Sequence, residues 1–306
     1  KSSGILCETP GRRIEFAKAE LTDYDTGTVC QLIRVSRSNY YRPRAKTNSE
    51  KTVEENAVIN CFEKHQGNYG RIRIRKELLN ENHNISEYRI GRILKKYGLV
   101  AKAGRKKQYR KRKPTEQQYY EENLIQDKFS VKTANYLWCS DITELVCKGG
   151  KLYVCGVIDV ATRRIVGWSI AKQQTQILVQ DAFRMAKGRN PVIPEGAIYH
   201  SDRGSQYTAK RTKRLIEENG FRKSMSRPGT PSDNQPIESF WHTLETELGS
   251  LKEYNYGDAS RKIVDYIELY YNAARLHSGI AYLIPNEFLT RSEERRVGKE
   301  CTAECR

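Results

Sequence analysis

The hydrophobic period of this 306-residue chain changes at Asn135, and no single architecture satisfies both halves. Upstream, apolar residues recur at the three-to-four spacing of one helix face; downstream they run on without a break or alternate, as strands do. Residues 137–147 are rich in β-branched and apolar side chains, Lys148-Gly149-Gly150-Lys151 is a hairpin turn, and residues 152–160 are a nearly unbroken apolar run. Thr162-Arg163 turns the chain into a third strand over residues 164–170. A helix over residues 176–187 follows, with Leu178, Val179, Ala182, Phe183 and Ala186 on one face. Residues 197–200 are a short fourth strand, residues 208–219 a helix stopped by Gly220, and residues 221–224 a fifth strand. Two long helices, about residues 236–248 and 259–273, close the pattern. Three antiparallel strands followed by alternating helix and strand predict an α/β domain with a mixed central sheet and flanking helices.

The upstream half reads as all-α. Residues 1–25 are weakly patterned and predict no element. Residues 28–41 (TVCQLIRVSRSNYY) read as helix, turn at Val35-Ser36, and a second helix capped by Ser36. Pro43 ends that element, and a polar break runs over residues 42–51. Val53, Ala57, Val58, Cys61 and Phe62 mark one face of a helix over residues 53–62, and residues 71–79 form another after the Tyr69-Gly70 turn. Ser86 caps a helix to Tyr97, with Ile90, Ile93, Leu94 and Tyr97 apolar and Gly98 as its left-handed end. On that helix Arg89, Arg92, Lys95 and Lys96 are free to face a groove, as in a recognition helix.

Charge separates the halves as sharply as period does. The chain carries 54 Lys and Arg against 37 Asp and Glu; residues 1–113 hold 27 against 12, and residues 114–306 hold 27 against 25. The densest run, residues 102–113 (KAGRKKQYRKRK), contains Arg105, Lys106 and Lys107 among eight basic residues with no acid. Alone, such a run reads equally as a solvated linker. A basic arm on a nearly neutral body points instead to a polyanion, because neutralising phosphates supplies most sequence-independent affinity; nucleic acid is the expected partner. No apolar run reaches the ~18 residues of a membrane span, so no membrane partner is expected. The eight cysteines, Cys7, Cys30, Cys61, Cys139, Cys147, Cys155, Cys301 and Cys305, form no Cys-x-x-Cys pair, which argues for reduced thiols. His65 and His83 lack the close spacing of a zinc module, so no zinc is expected.

Three acids then stand out by position. Asp141 lies inside the first strand (WCSDIT), where a carboxylate is costly unless it is paired or binds a cation. Asp202 follows directly on the fourth strand (HSDRGSQY), at the kind of strand end where open α/β sheets bind ligands. Glu238 falls in the first turn of a helix (DNQPIESF), a position that helix polarity alone favours for an acid. Each has a plain structural reading. Together they can supply hard oxygen ligands to two Mg²⁺ ions, about 3.5–4 Å apart, that drive an in-line phosphodiester displacement. A polyanionic partner and an anionic site are compatible only through such cations.

These residues carry a resemblance. Sixty residues separate Asp141 from Asp202 and thirty-five separate Asp202 from Glu238, as in the DDE integrase–transposase superfamily. The strings 138–143, 200–207 and 224–240 (SMSRPGTPSDNQPIESF) resemble OrfB-type transposases of the insertion sequence 3 family. So does the stretch from Tyr271-Asn272-Ala273-Ala274-Arg275-Leu276-His277-Ser278 to Pro285, and Tyr69-Gly70-Arg71 with residues 92–99 resembles that family's helix-turn-helix-like region. The element order is the one an RNase H-like fold uses. The resemblance, over about residues 29–290, implies an RNase H-like catalytic domain binding two Mg²⁺ (or Mn²⁺) ions at Asp141, Asp202 and Glu238. It implies nicking at element ends, strand transfer by a 3′-hydroxyl, and a cytoplasmic, nucleoid-associated bacterial protein. A homo-oligomer on DNA is expected, with an upstream-frame partner whose leucine zipper no heptad here replaces. A nuclease without strand transfer and a catalytically silent DNA-binding remnant are the alternatives.

The implied organisation is a basic helix-turn-helix-like DNA-binding region over residues 1–113, a linker over 114–134, the catalytic domain over 135–290, and a non-native tail over 291–306. Residues 291–301 (RSEERRVGKEC) resemble an in-frame translation of a sequencing adapter, and Lys1 in place of Met suggests a fragment. Near the acids, Arg203 binds a phosphate or pairs with an acid, Gln206 and Tyr207 contact DNA or orient Asp202, and Tyr207 packs equally well. Arg275 and His277 are candidates to touch DNA, and Asn234 to cap the helix of Glu238. Lys210, Arg211, Lys213 and Arg214 are a basic cluster that either binds DNA or faces solvent. Cys139, Cys147, Cys155, Trp138 and Trp168 read as core.

Overall fold

Local capping builds the first helices. The computed structural model describes residues 9–41, 48–102, 121–125, 129–228 and 230–291, and divides the chain into two compact units, Lys1–Ala57 and Val58–Arg306. In the first, helix α1 spans Pro10–Glu20, α2 Thr26–Leu32 and α3 Arg37–Tyr40. Asp25 caps α2 by accepting from the backbone N–H of Gly27 and Thr28 at 2.8 and 3.2 Å, and Ser36 caps α3 through the N–H of Asn39 at 3.3 Å. The weakly patterned N-terminus does form a helix: Pro10 starts α1, and buried Ala17 packs with Val29, Ile33 and Val35.

Helix α4 spans Asn48–Lys64, five residues longer at its start and two longer at its end than the apolar spacing predicts, and Val53 on it is exposed. Its buried face is Val58, Cys61, Phe62 and His65's turn, not one that includes Val53. Helices α5 (Arg71–Asn80) and α6 (Glu87–Lys96) follow. The Ser86 hydroxyl accepts from the N–H of Arg89, and Gly98 takes the left-handed φ of 65° that ends the turn. Ile90, Ile93 and Leu94 are buried as expected, but Tyr97 is not, because it lies past the last helical turn.

The second unit holds a sheet of β1 (Leu137–Cys147), β2 (Gly150–Asp159), β3 (Ile165–Ala171), β4 (Ile198–Ser201) and β5 (Arg222–Met225). The spatial order is β3-β2-β1-β4-β5: the first three strands are antiparallel, and β4 and β5 run parallel to β1. Helices α7 (Gln176–Arg189), α8 (Ser205–Thr208) and α9 (Lys210–Glu218) follow their strands, and a 3₁₀ turn (Pro231–Asn234) leads into α10 (Gln235–Leu248). The helix expected over 208–219 is therefore broken, at Ala209, whose ψ of 131° is extended. Alternation along β1 divides two cores. Leu137 and Cys139 join Ile237, Phe240, Trp241 and Leu244 of α10, whereas Trp138 joins Phe183 of α7 and Ile216 of α9. Residues 121–125 touch β5: the N–H of Met225 donates to the Glu122 carbonyl, and Ile125 is buried in the same core as the α10 side chains. Trp168 is only partly buried, its Nε1 donating to Glu268 at 2.6 Å.

The last long helix departs from expectation in its winding. It is α-helical over Tyr256–Asp265 (α11), then π-helical over Tyr266–Tyr271. The wider turn lets Tyr266, Ile267 and Tyr271 all be buried. Beyond it Arg275, an expected DNA contact, is only 4% exposed; its Nε and Nη2 donate to the Glu247 carboxylate of α10 at 2.7–3.0 Å, and Tyr266 Oη donates to the same group at 2.8 Å. Arg275 is thus an internal tie, because its charge is already neutralised below the surface. His277, the other candidate there, accepts from the N–H of Gly279, and burial beside Arg275 pushes its pKa down to about 3. Tyr69, after α4, accepts from the N–H of Leu276 at 2.8 Å and so fastens the helical segment to this corner. Removing one member of a buried pair strands the other charge. Arg275→Ala is expected to lower unfolding stability by about 3–5 kcal/mol, read from chemical denaturation.

Candidate active site

Strand register sets the first two acids side by side. Parallel pairing of β1 with β4 matches Ser140 with Ser201, and Asp141 and Asp202 are the next residues on each strand. Asp141 is half-buried; Asp202 is exposed where β4 leaves the sheet, its Oδ1 accepting from the N–H of Gly204 at 3.0 Å. Half-buried Glu238, in the first turn of α10, comes to the same place because the helix start is fastened to β1. Asn234 Nδ2 donates to the Ser140 carbonyl at 3.0 Å. Asn234 therefore does not cap its own helix by side chain, as the motif suggested; it joins the helix to the residue before Asp141. Asp233 beside it is buried and held by Arg227 at 2.7 Å and by Asn123 Nδ2 at 2.8 Å.

The cluster strains against itself electrostatically. Burial, then the charge of Asp202, then that of Glu238 push the Asp141 carboxyl up to about 8, against the Ile142 N–H and the Trp241 indole, which pull it down. Trp241 Nε1 is buried and closes no hydrogen bond within ordinary limits. Three carboxylates offer only hard oxygen donors, a set suited to Mg²⁺ or Mn²⁺, and a cation among them would relieve the repulsion that raises Asp141.

The other expected site residues divide. Arg203 is half-buried, and its Nε donates to the Ser226 carbonyl at 2.7 Å. Gln206 is half-buried and donates to the Gln174 carbonyl at 3.2 Å. Tyr207 is 1% exposed and hydrogen-bonded to Ser140 Oγ at 3.0 Å, so it packs beneath the site and does not meet DNA. On α6, Arg92, Lys95 and Lys96 are exposed and Arg89 is half-buried, opposite the buried Ile90, Ile93 and Leu94. Arg105, Lys106 and Lys107 lie outside the described residues. Of the α9 cluster, Lys210, Arg211 and Arg214 are exposed, and Lys213 pairs with Glu121 and Glu217.

Trp241, His200 and Gly156 were missed from sequence; the last had a signal, a glycine in mid-strand. Also missed was a convergence of Cys61, His65 and Glu77, whose donor atoms lie within 4.8 Å of one another. His65 Nε2 stands 2.6 Å from Glu77 Oε2, and Lys64 Nζ stands 2.6 Å from Oε1. Two ligands at ~2.0–2.3 Å from one tetrahedral ion would be ~3.2 Å or more apart, so the trio is a polar clasp between α4 and α5.

Family comparison agrees with this layout. Residues 132–231 and 219–285 match models described as integrase core domain, and residues 49–107 match one described as HTH-like domain. The transposase for insertion sequence element IS904 of Lactococcus lactis is 36% identical over 81% of this chain and 98% of its own length. Transposase InsF for insertion sequence IS3A of Escherichia coli is 31% identical over 89% of this chain and 96% of its own. Among solved structures, the catalytic core domain of BIV integrase is 19% identical, with a TM-score of 0.38 over 53% of this chain and 99% of that one. By the matching family models, the five-stranded mixed sheet and its helices are the RNase H-like integrase core, preceded by a helix-turn-helix-like region. The chain belongs to the IS3 family of insertion-sequence transposases. Among the described residues, no helix is long and apolar enough to cross a membrane.

Beneath Asp202, fully buried His200 bridges Ser224 Oγ at 2.9 Å and Ser226 Oγ at 3.0 Å, and burial pushes its pKa down to about 4. A folded-state pKa below the unfolded ~6.5 means that the unfolded chain binds the proton first. The stability that neutral His200 contributes is present above pH ~6.5 and is lost as pH falls toward 4. Its full loss is on the order of 3 kcal/mol. Denaturation between pH 7 and 4 is expected to show this slope, and His200→Asn to flatten it.

Proposed function

We propose that this transposase cleaves and joins DNA strands at an active site of Asp141, Asp202 and Glu238 holding two Mg²⁺ or Mn²⁺ ions. The observation that carries the reading is the convergence of three sequence-distant acids on one strand end, close enough that two of them raise the third. A site so negative meets a phosphodiester only with cations between them. The bound ions would activate the attacking oxygen and stabilise the leaving one. The protein's part is geometric: β1 and β4 hold two carboxylates in register, and α10 brings the third.

The rest of the chain supports the same reading. Residues 1–113 carry the charge excess and would grip element-end DNA, with Arg89, Arg92, Lys95 and Lys96 of α6 and the run containing Arg105, Lys106 and Lys107 toward phosphates and grooves. The linker over 114–134 leads into a catalytic domain over 135–290, where Arg203 and Gln206 border Asp202. The residues of 291–306 take no part. Joining two element ends calls for more than one copy on DNA and is compatible with an upstream-frame protein partner. Such a protein works in the bacterial cytoplasm, at the nucleoid.

The test is a gel assay with labelled duplexes carrying the ends of the element that encodes the chain, in Mg²⁺ and in chelator. Nicked and joined products are expected with Mg²⁺ alone. Asp202→Ala and Glu238→Gln should reduce them by more than ~100-fold, beyond the loss typical of residues that only orient metal ligands, with DNA binding retained. Nicking without joining would mean a nuclease; binding without product in Mg²⁺ or Mn²⁺ would mean a silent DNA-binding protein.

A further inference from the structure

We infer that Asn234 and Trp241 are positioning residues that seat Glu238 against Asp141 from either side, and so set the spacing at which the carboxylates hold divalent ions. The inference rests on the metal-site reading above. Glu238 and Trp241 lie three residues apart on α10 and so share one of its faces, and Asn234 ends the 3₁₀ turn immediately before that helix. Each flanking residue makes one contact with the strand pair that carries Asp141. Asn234, 3% exposed, donates from Nδ2 to the carbonyl of Ser140, the residue before Asp141. Trp241, also 3% exposed, lies against Gly156, the β2 residue paired with Asp141. A Cβ at Gly156 would stand 2.9 Å from Trp241 Cη2 and 3.0 Å from Cζ2, so the bare backbone is what lets the ring sit there.

Two points of attachment, one before Glu238 and one after it, limit both the slide and the roll of the helix. Stability alone would not select this pair. Asn234 Oδ1 is buried without a hydrogen-bond partner, and β2 gives up a side chain at Gly156 to admit the Trp241 ring, both of which are unfavourable.

The experiment measures Mn²⁺ binding to the full chain by electron paramagnetic resonance, with thermal melting alongside, for wild type, Asn234→Ala, Trp241→Phe and Glu238→Gln. Asn234→Ala and Trp241→Phe are each expected to weaken Mn²⁺ binding by ~10-fold, within the range for groups that orient metal ligands. Trp241→Phe keeps an aromatic side chain but lacks the Cη2 and Cζ2 atoms that meet Gly156, and thermal melting checks that it stays folded. In DNA cleavage both should raise the Mn²⁺ midpoint and recover at excess Mn²⁺. Wild-type Mn²⁺ affinity in folded Trp241→Phe and Asn234→Ala, with Glu238→Gln weakened, would overturn the inference and leave the metal site standing. Wild-type affinity in Glu238→Gln would overturn the site itself.

Discussion

Repulsion among three carboxylates is the constraint around which the catalytic half is arranged. Nothing about Asp141, Asp202 and Glu238 favours their approach: burial and the other two charges push Asp141 up to about 8. Their proximity is imposed by hydrogen bonds elsewhere. Backbone pairing of β1 with β4 supplies one part, and the Asn234–Ser140 bond supplies another. The core on both faces of β1 then holds that geometry, since the strand cannot shift without exposing Leu137 and Cys139 on one side or Trp138 on the other.

Helix α10 is the element through which the parts of this unit meet. Its first turn carries Glu238, its middle packs Phe240, Trp241 and Leu244 under the sheet, and its last turn carries Glu247. Glu247 is neutralised by Arg275 and hydrogen-bonded by Tyr266, from a π-helical segment that also meets His65 through Tyr270 at 3.4 Å. Tyr69 reaches the same corner. The helix-turn-helix-like segment after residue 57 and the helix bearing Glu238 therefore share a buried polar junction.

The misreadings have a common cause. Arg275, Tyr207 and Asn234 each sit in a motif that resembles the family's site; the motif suggests DNA contact for Arg275 and a helix cap for Asn234, and leaves Tyr207 open between DNA contact and packing. The first ties α10 to the chain after the π-helix, the second packs under Ser140, and the third crosses to β1. Residue type and local spacing say which groups can hydrogen-bond, but the partner is chosen by an element 28 to 94 residues away. The π-helical turn has the same character: its apolar tyrosines read as an ordinary helix, and burial of Tyr266 and Tyr271 together required the wider winding.

By itself the sequence determined the element order, the mixed sheet, the caps at Ser36 and Ser86, the basic arm and the three acids. Those are properties of period, turn chemistry and net charge, which local residues carry whole. Only the tertiary structure decided which strand residues stand opposite one another, that Gly156 makes room for Trp241, and that Arg275 is spent on Glu247. Such pairings depend on long-range register and on what each side chain finds once buried, and neither is written in the neighbourhood of the residue itself.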